Sequence, residues 1–295
     1  MNKDFLQLLM ERTGFPDEAK TAYMKAAGRL DPGAVDGAIS FFYENDFDIA
    51  QLTPLIEDIA ETSGVSVHTV WGLFLAFAAE RARGDYLAQG ISEEVFFATF
   101  SDLRYKAIEC MHNKGVYGTF VQFWYPIFYR CDIVKLGRLE YETITYDHPA
   151  REVAGVTLRP GQKIANIHIP SSGEPFDLNA RLQSYKLAYD FFKDLRQGGP
   201  LVCICHSWLL YPEYRKVLSG ASNIIGFQDD FTILEIDDGA FDDAWRVFGP
   251  AADGPTAQLP EDTSMQRAFK KHLLTGGKNG SALGVLVFDG ERLLK

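Results

Sequence analysis

Three things are scarce in this chain, and each scarcity removes a class of protein. Cysteine occurs only four times in 295 residues, at Cys110, Cys131, Cys203 and Cys205. That is too sparse for a disulfide-stapled scaffold and lacks the repeated CxxC spacing of a structural zinc site. The thiols are expected to be reduced. Positive charge is also short: 29 Lys and Arg stand against 40 Asp and Glu, for a formal net charge of -11. A surface of that sign repels phosphate backbones and anionic lipid, so neither nucleic acid nor membrane is expected as a partner. Long apolar runs are missing as well. VWGLFLAFAA (70–79) is about half of the roughly 20 residues a spanning helix needs, and Glu80, Arg81 and Arg83 follow it. The opening MNKDFLQLLMERTGF carries Asp4, Glu11 and Arg12 where a secretory leader has an unbroken apolar core, so the expected compartment is the cytoplasm.

What is present is an ordinary folded composition, 46% hydrophobic and 23% charged, in a chain long enough for two domains. The pattern changes near residue 130. Before it, apolar positions recur at three- and four-residue steps between breakers such as Phe15-Pro16, Asp31-Pro32-Gly33 and Gly90, which predicts helices. Asp17, Asp31 and Ser92 stand where N-caps belong. The aromatic stretch VYGTFVQFWYPIFYR (116–130) reads as either helix core or an interface between domains. After it, LGRLEYETITY (136–146) alternates as a half-buried strand does, and KIANIHIP (163–170), DLNARLQSYKLAYDFFKDLRQ (177–197) and LVCICHSW (201–208) read as strand, helix, strand. A crossover of that length allows a parallel pair. SNIIGFQDDFTILEI (222–236) and LGVLVFDG (283–290) add two strands, and TSMQRAFKKHLLTGG (263–277) a helix ending on glycines. These patterns predict an all-helical domain over 1–130, then a domain over 131–295 that is α/β or α+β.

Ligands of open sheets sit beyond the carboxyl ends of parallel strands, and both strands end in chemistry. One finishes IHIPSSGE (167–174) and the other ICHSWLL (204–210), so His168 and the group Cys205, His206, Ser207 and Trp208 are expected at one edge. A serine elbow at Ser207 lacks its glycines. Cys205 and His206, adjacent on a strand, point to opposite faces, so a cysteine nucleophile would need His168 as its base. A zinc site from His168, Cys205 and His206 lacks a fourth ligand, and no metal is expected. The bland alternative makes Cys203 and Cys205 core and the histidines strand-end hydrogen-bonders. PSSGEP (170–175) offers hydroxyls and amides before a helix, a place for phosphate or an ordinary turn. Glu140 and Glu142 share a strand face and either could be a general base or a surface carboxylate. Tyr211 and Tyr214 could donate a proton or simply pack.

The ordered segments GRLEYE (137–142), NIHIPSSG (166–173), CHSWLL (205–210), SNIIGFQDDF (222–231) and DTSMQRAFKKHLLTGG (262–277) resemble the GNAT-like C-terminal domain of bacterial acyltransferase-domain proteins. That family carries a helical N-terminal domain ahead of it. The resemblance implies a mixed sheet whose two central parallel strands splay and admit the pantetheine arm of acetyl-CoA or another acyl-CoA. It places the pyrophosphate on PSSGEPFDLN (170–179), with Ile169, Ser171, Ser172 and Gly173 as the binding residues. It also implies a tyrosine acid, Tyr211 or Tyr214, and an amine-deprotonating base, Glu140 or His168. The Gln/Arg-x-x-Gly-x-Gly/Ala segment of characterised members is not matched at 171–181. The implied function is acyl-CoA-dependent transfer to a small-molecule amine, with Cys205 as an acyl-carrying variant. Its competitors are a non-catalytic ligand- or partner-binding module and a thioester or amide hydrolase.

Overall fold

Polar side chains open and close a series of helices through the first hundred residues. In the computed structural model, which describes residues 1–295, these are α1 (Lys3–Arg12), α2 (Asp17–Ala27), α3 (Pro32–Glu44), α4 (Ile49–Ser63), α5 (Val67–Ala88), α6 (Glu93–Phe100) and α7 (Asp102–Lys114). Asp31 accepts from the Gly33 amide with Pro32 at the first helical position, and Ser92 accepts from Val95, both as N-caps do. Asp17, expected as a cap, is instead the first residue of α2: Pro16 holds the cap position and offers no side-chain acceptor. Every residue of α5 from Thr69 to Ala79 is buried, as befits a helix apolar on all sides, and the other helices of this unit pack round it. No single helix is long and apolar enough to cross a membrane.

The aromatic stretch completes this core. Tyr125, Phe128 and Tyr129 are buried, the last two in the short helix α8 (Pro126–Tyr129). Tyr129 lies 5.1 Å from Phe42 between ring centroids and donates to the Leu75 carbonyl at 2.6 Å. Gly118 lets the chain approach α5 closely, since a Cβ there would sit 2.2 Å from the His68 carbonyl oxygen. By its contacts the chain divides into Met1–Lys135 with Pro170–Ser172, and Leu136–Ile169 with Gly173–Lys295.

The strands begin with β1 (Ile133–Leu136), of which only Leu136 falls in the second unit, and that unit is built on β2 (Leu139–Thr145), β3 (Arg151–Val153), β4 (Val156–Leu158), β5 (Lys163–His168), β6 (Leu201–Ser207), β7 (Thr232–Gly239), β8 (Asn279–Phe288) and β9 (Leu293–Leu294). Gly137, at φ 67°, turns β1 into β2, so 136–146 holds a tight turn where one continuous strand was expected. The sheet order is β1-β2-β5-β6-β8-β7 with β9 on β8, while β3 and β4 form a separate hairpin. β5 and β6 are parallel, as expected, and the other sheet pairings described from β2 onward are antiparallel. Between them come α9 (Leu178–Phe191), α10 (Lys193–Arg196), α11 (Asn223–Asp229), α12 (Ala244–Phe248) and α13 (Ser264–Leu274). The stretch 222–236 is thus helix then strand. Ser222 caps α11, and the apolar residues Ile224, Ile225, Phe227 and Phe231 carry the three- and four-residue spacing of a helix face.

Register sorts the side chains of this sheet onto two faces. Cys203 pairs with Ala165 and Leu286, and this face meets α9, whose Ser184 bonds Tyr141 and whose Tyr185 lies 6.1 Å from Phe288. The other face carries Ile164, Val202, Ile204, Leu283, Val285 and Val287, packed under Val153 and Leu158 of the β3–β4 hairpin. Arg151 of that hairpin reaches Glu235 of β7 at 3.0 Å.

Candidate active site

The two parallel strands are joined over only two register positions, Ala165 with Cys203 and Asn166 with Ile204. Their outer edges stay paired further, β5 with β2 through His168 and β6 with β8 through Ser207. Past Asn166 and Ile204 the strands therefore run on without a shared ladder, which is the expected splay. Backbone groups facing that gap must find partners elsewhere.

Beyond the apolar floor, the hairpin-covered face turns polar along a band that crosses the sheet. On the β5 side, His168 Nε2 lies 2.9 Å from Glu142 Oε2, and Asn166 Nδ2 donates to the same oxygen at 3.2 Å. Both members of the pair are about one-fifth to one-quarter exposed. Burial alone would raise the Glu142 carboxyl. The hydrogen bond and charge of His168, with the Asn166 amide, outweigh it and hold the carboxyl below its ordinary value. An ionised carboxylate only accepts, so Nε2 carries a proton whether the ring is charged or neutral, and in the neutral imidazole the lone pair is on Nδ1. On the β6 side, His206 Nε2 lies 3.0 Å from Asp237 Oδ2 and 2.9 Å from Ser281 Oγ, and its side chain is more than half exposed.

The register separates two residues expected to act together. His168 has the parity of Asn166 and Ile204, whereas Cys205 has that of Cys203, so Cys205 lies on the α9 face. It is fully buried, and burial pushes its thiol well up, which disfavours the thiolate a nucleophile needs. Tyr211 and Tyr214 are likewise fully buried, in a cluster with Phe248, Leu259 and Phe269. Tyr211 donates to Asp238 Oδ1 at 2.6 Å and Tyr214 to Asn279 Oδ1 at 3.3 Å. Burial, aided by Asp238, raises the Tyr211 phenol. Burial pushes Tyr214 up to about 12, against a bond from the Gly280 backbone and with Asp243 adding to the rise. Neither hydroxyl is open to solvent. Glu140 stands opposite His168 in the ladder but is 1% exposed, and the carboxylate on His168 is the diagonal one, Glu142.

After Ile169, Ser171 and Gly173 are exposed and Ser172 partly so, with Gly173 at φ 72°. The helix that follows is already capped: Asp177 accepts from the Ala180 amide at 2.9 Å. The expectation that pyrophosphate rests on this helix start is corrected there, because an anion would meet the Asp177 carboxylate. No group of three His, Cys, Asp or Glu side chains is placed to hold a metal ion. Asn166, Asp237 and Ser281 escaped the sequence reading. Only Asn166, two residues before His168, carried a local signal, through strand parity.

Comparison with known proteins agrees with this architecture. Residues 4–131 match the N-acyltransferase N-terminal domain family and residues 133–286 the GNAT-like C-terminal domain family. No curated protein matches the chain in sequence. Among solved structures, an acyltransferase in complex with decanoyl-CoA and teicoplanin superposes with a TM-score of 0.74 at 21% identity, covering 96% of this chain and 87% of that one. An acyltransferase with CoA and a teicoplanin derivative gives 0.74 at 19% with the same coverage. Another, with decanoyl-CoA, gives 0.62 at 18%, covering 95% and 98%. At such identities the likeness is one of fold. The chain belongs to the acyltransferase family that joins an N-acyltransferase N-terminal domain to a GNAT-like C-terminal domain.

Proposed function

We propose that this protein transfers an acyl group from acyl-CoA to an amine of a small molecule, with His168 as general base. The observation that carries the reading is the two-position ladder between β5 and β6 with an imidazole–carboxylate pair on its lip. A pantetheine arm carries two amides and is long and thin, so it suits a gap whose walls are unladdered strand backbone. The thioester would then lie beside His168. The amine nitrogen attacks the carbonyl carbon, its proton passes to His168 Nδ1, and the Glu142 carboxylate stabilises the imidazolium that forms. A base so placed contributes about 10²–10⁴-fold, and positioning of the two substrates supplies much of the rest.

The pyrophosphate is assigned to the chain from Ile169 through Ser171 and Ser172 to Gly173, by backbone amides and hydroxyls and without the α9 terminus. Glu140, Cys205, Tyr211 and Tyr214 receive no proton-transfer role. Solved relatives bound to decanoyl-CoA, octanoyl-CoA or CoA support the donor, and teicoplanin in two of them supports a small-molecule acceptor.

Calorimetry with acetyl-, octanoyl- and decanoyl-CoA tests the reading, using a Ser171→Glu/Ser172→Glu variant. Each added carboxylate about 4 Å from a phosphate costs about 1 kcal/mol even in bulk water, so affinity should fall about 30-fold in the double variant. Binding of no CoA species would sink the transferase reading and leave the non-catalytic module.

A further inference from the structure

The polar band has two histidines, and the transfer proposed above uses only one. We infer that His206 is the acid that protonates the departing sulfur; this rests on that proposed transfer. His168 and His206 share a sheet face, since Asn166 pairs with Ile204 and each histidine lies two residues further on. One stands on each lip of the splay. Paired strands are about 4.8 Å apart, and the lips diverge from there, so a thioester fits between them. The carbonyl carbon is bonded to both the incoming nitrogen and the outgoing sulfur at the tetrahedral stage. With the amine held at the β5 lip by His168, the sulfur faces the β6 lip.

His206 is equipped for this from two neighbouring strands. Asp237 of β7 takes its Nε2–H at 3.0 Å and Ser281 of β8 lies 2.9 Å from the same nitrogen. That orients the ring and leaves Nδ1 as the second proton carrier of an imidazolium. The tyrosines expected in this role are fully buried. The step balances. The N–C bond forms as the C–S bond breaks, the ammonium proton goes to His168, and the sulfur takes the Nδ1 proton of His206. The products are amide and CoA thiol, and both imidazoles return to their starting states by exchange with solvent, to which His206 is the more open.

Free CoA is the probe, because it tests the thiol without an acceptor. The thiolate of bound CoA is followed by its ultraviolet absorbance against pH. A thiol facing an imidazolium titrates about 1–3 units below its ordinary value. The downward shift is expected in the unaltered protein, to persist in His168→Gln, to shrink in Asp237→Asn and to vanish in His206→Gln. CoA affinity in His206→Gln is the folding check, at a residue more than half exposed. Bound CoA with an unshifted thiol, or a shift surviving in His206→Gln, overturns the inference alone. CoA that does not bind overturns it together with the proposed function.

Discussion

Asp230 offers a severe test of how the second unit holds its site. Its Oδ2 accepts from Arg181 Nε at 2.6 Å and from the Tyr185 hydroxyl at 2.8 Å, and the three residues are 5%, 2% and 0% exposed. Arg181 Nη1 continues to the Phe176 carbonyl at 2.9 Å, so one side chain ties α9, the segment before it and the end of α11. Asp230→Ala strands a buried guanidinium and should cost about 3–5 kcal/mol, a large part of the roughly 5–15 kcal/mol that holds a domain folded. Asp230→Asn keeps an acceptor for one of the two donors and should cost about 2 kcal/mol. Arg181→Met with Asp230→Leu removes both charges and should come close to the unaltered protein, so the coupling energy should approach the summed cost of the two single variants, about 6–10 kcal/mol at about 3–5 kcal/mol each. Urea unfolding with linear extrapolation measures all of these. A cost for Asp230→Ala under about 1 kcal/mol, or a double variant equal to the sum of its singles, would refute the reasoning. Phe176 lies three residues beyond Gly173, so Arg181→Met should also weaken acyl-CoA binding.

Three further outcomes are expected. His168→Gln should lower turnover about 10²–10⁴-fold with little change in acyl-CoA affinity, and Glu142→Gln should lower it less, since the base remains; unchanged turnover in both, measured by CoA release, would remove the base assignment. Cys205→Ala should keep turnover while losing about 1 kcal/mol to the cavity, and mass spectrometry of the unaltered protein with octanoyl-CoA should show no acyl adduct. Tyr214 is pushed from 10.0 to about 12 on folding, so above pH 10 the unfolded chain has released a proton that the folded one still binds. Stability should therefore fall as pH rises from 10 towards 12. Tyr214→Phe should flatten that fall, and an unchanged slope would show that this phenol does not drive it.

Much of the fold was legible because it rests on local patterns. The helices of 1–130 announce themselves by three- and four-residue spacing, and the parallel β5–β6 pair follows from a strand, a helix and a strand in order. The misreadings come where a local pattern admits two answers. The run from Ser222 to Ile236 is apolar enough for a strand, yet Ser222 caps a helix that ends before Thr232. Gly137 could stand in a strand or turn one back, and only the pairing of the flanking segments decides.

The site was legible in part for a sharper reason. That His168 and His206 end neighbouring strands needs only the order of elements. Which side chain each one meets needs register, and β6 hides it: VCIC is buried on both faces, so it has none of the alternation that shows which way a residue points. A pairing of Cys205 with His168 is therefore plausible in one dimension and excluded in three by a single step of parity. The same step brings Ile204 and His206 onto the face of Asn166 and His168. Glu142, Asp237 and Ser281 come from three different strands, two of them more than thirty residues from the histidine they serve. Each histidine owes its tautomer to a carboxylate on another strand, so a change that slips β2 or β7 by one residue would remove the chemistry while leaving every histidine in place.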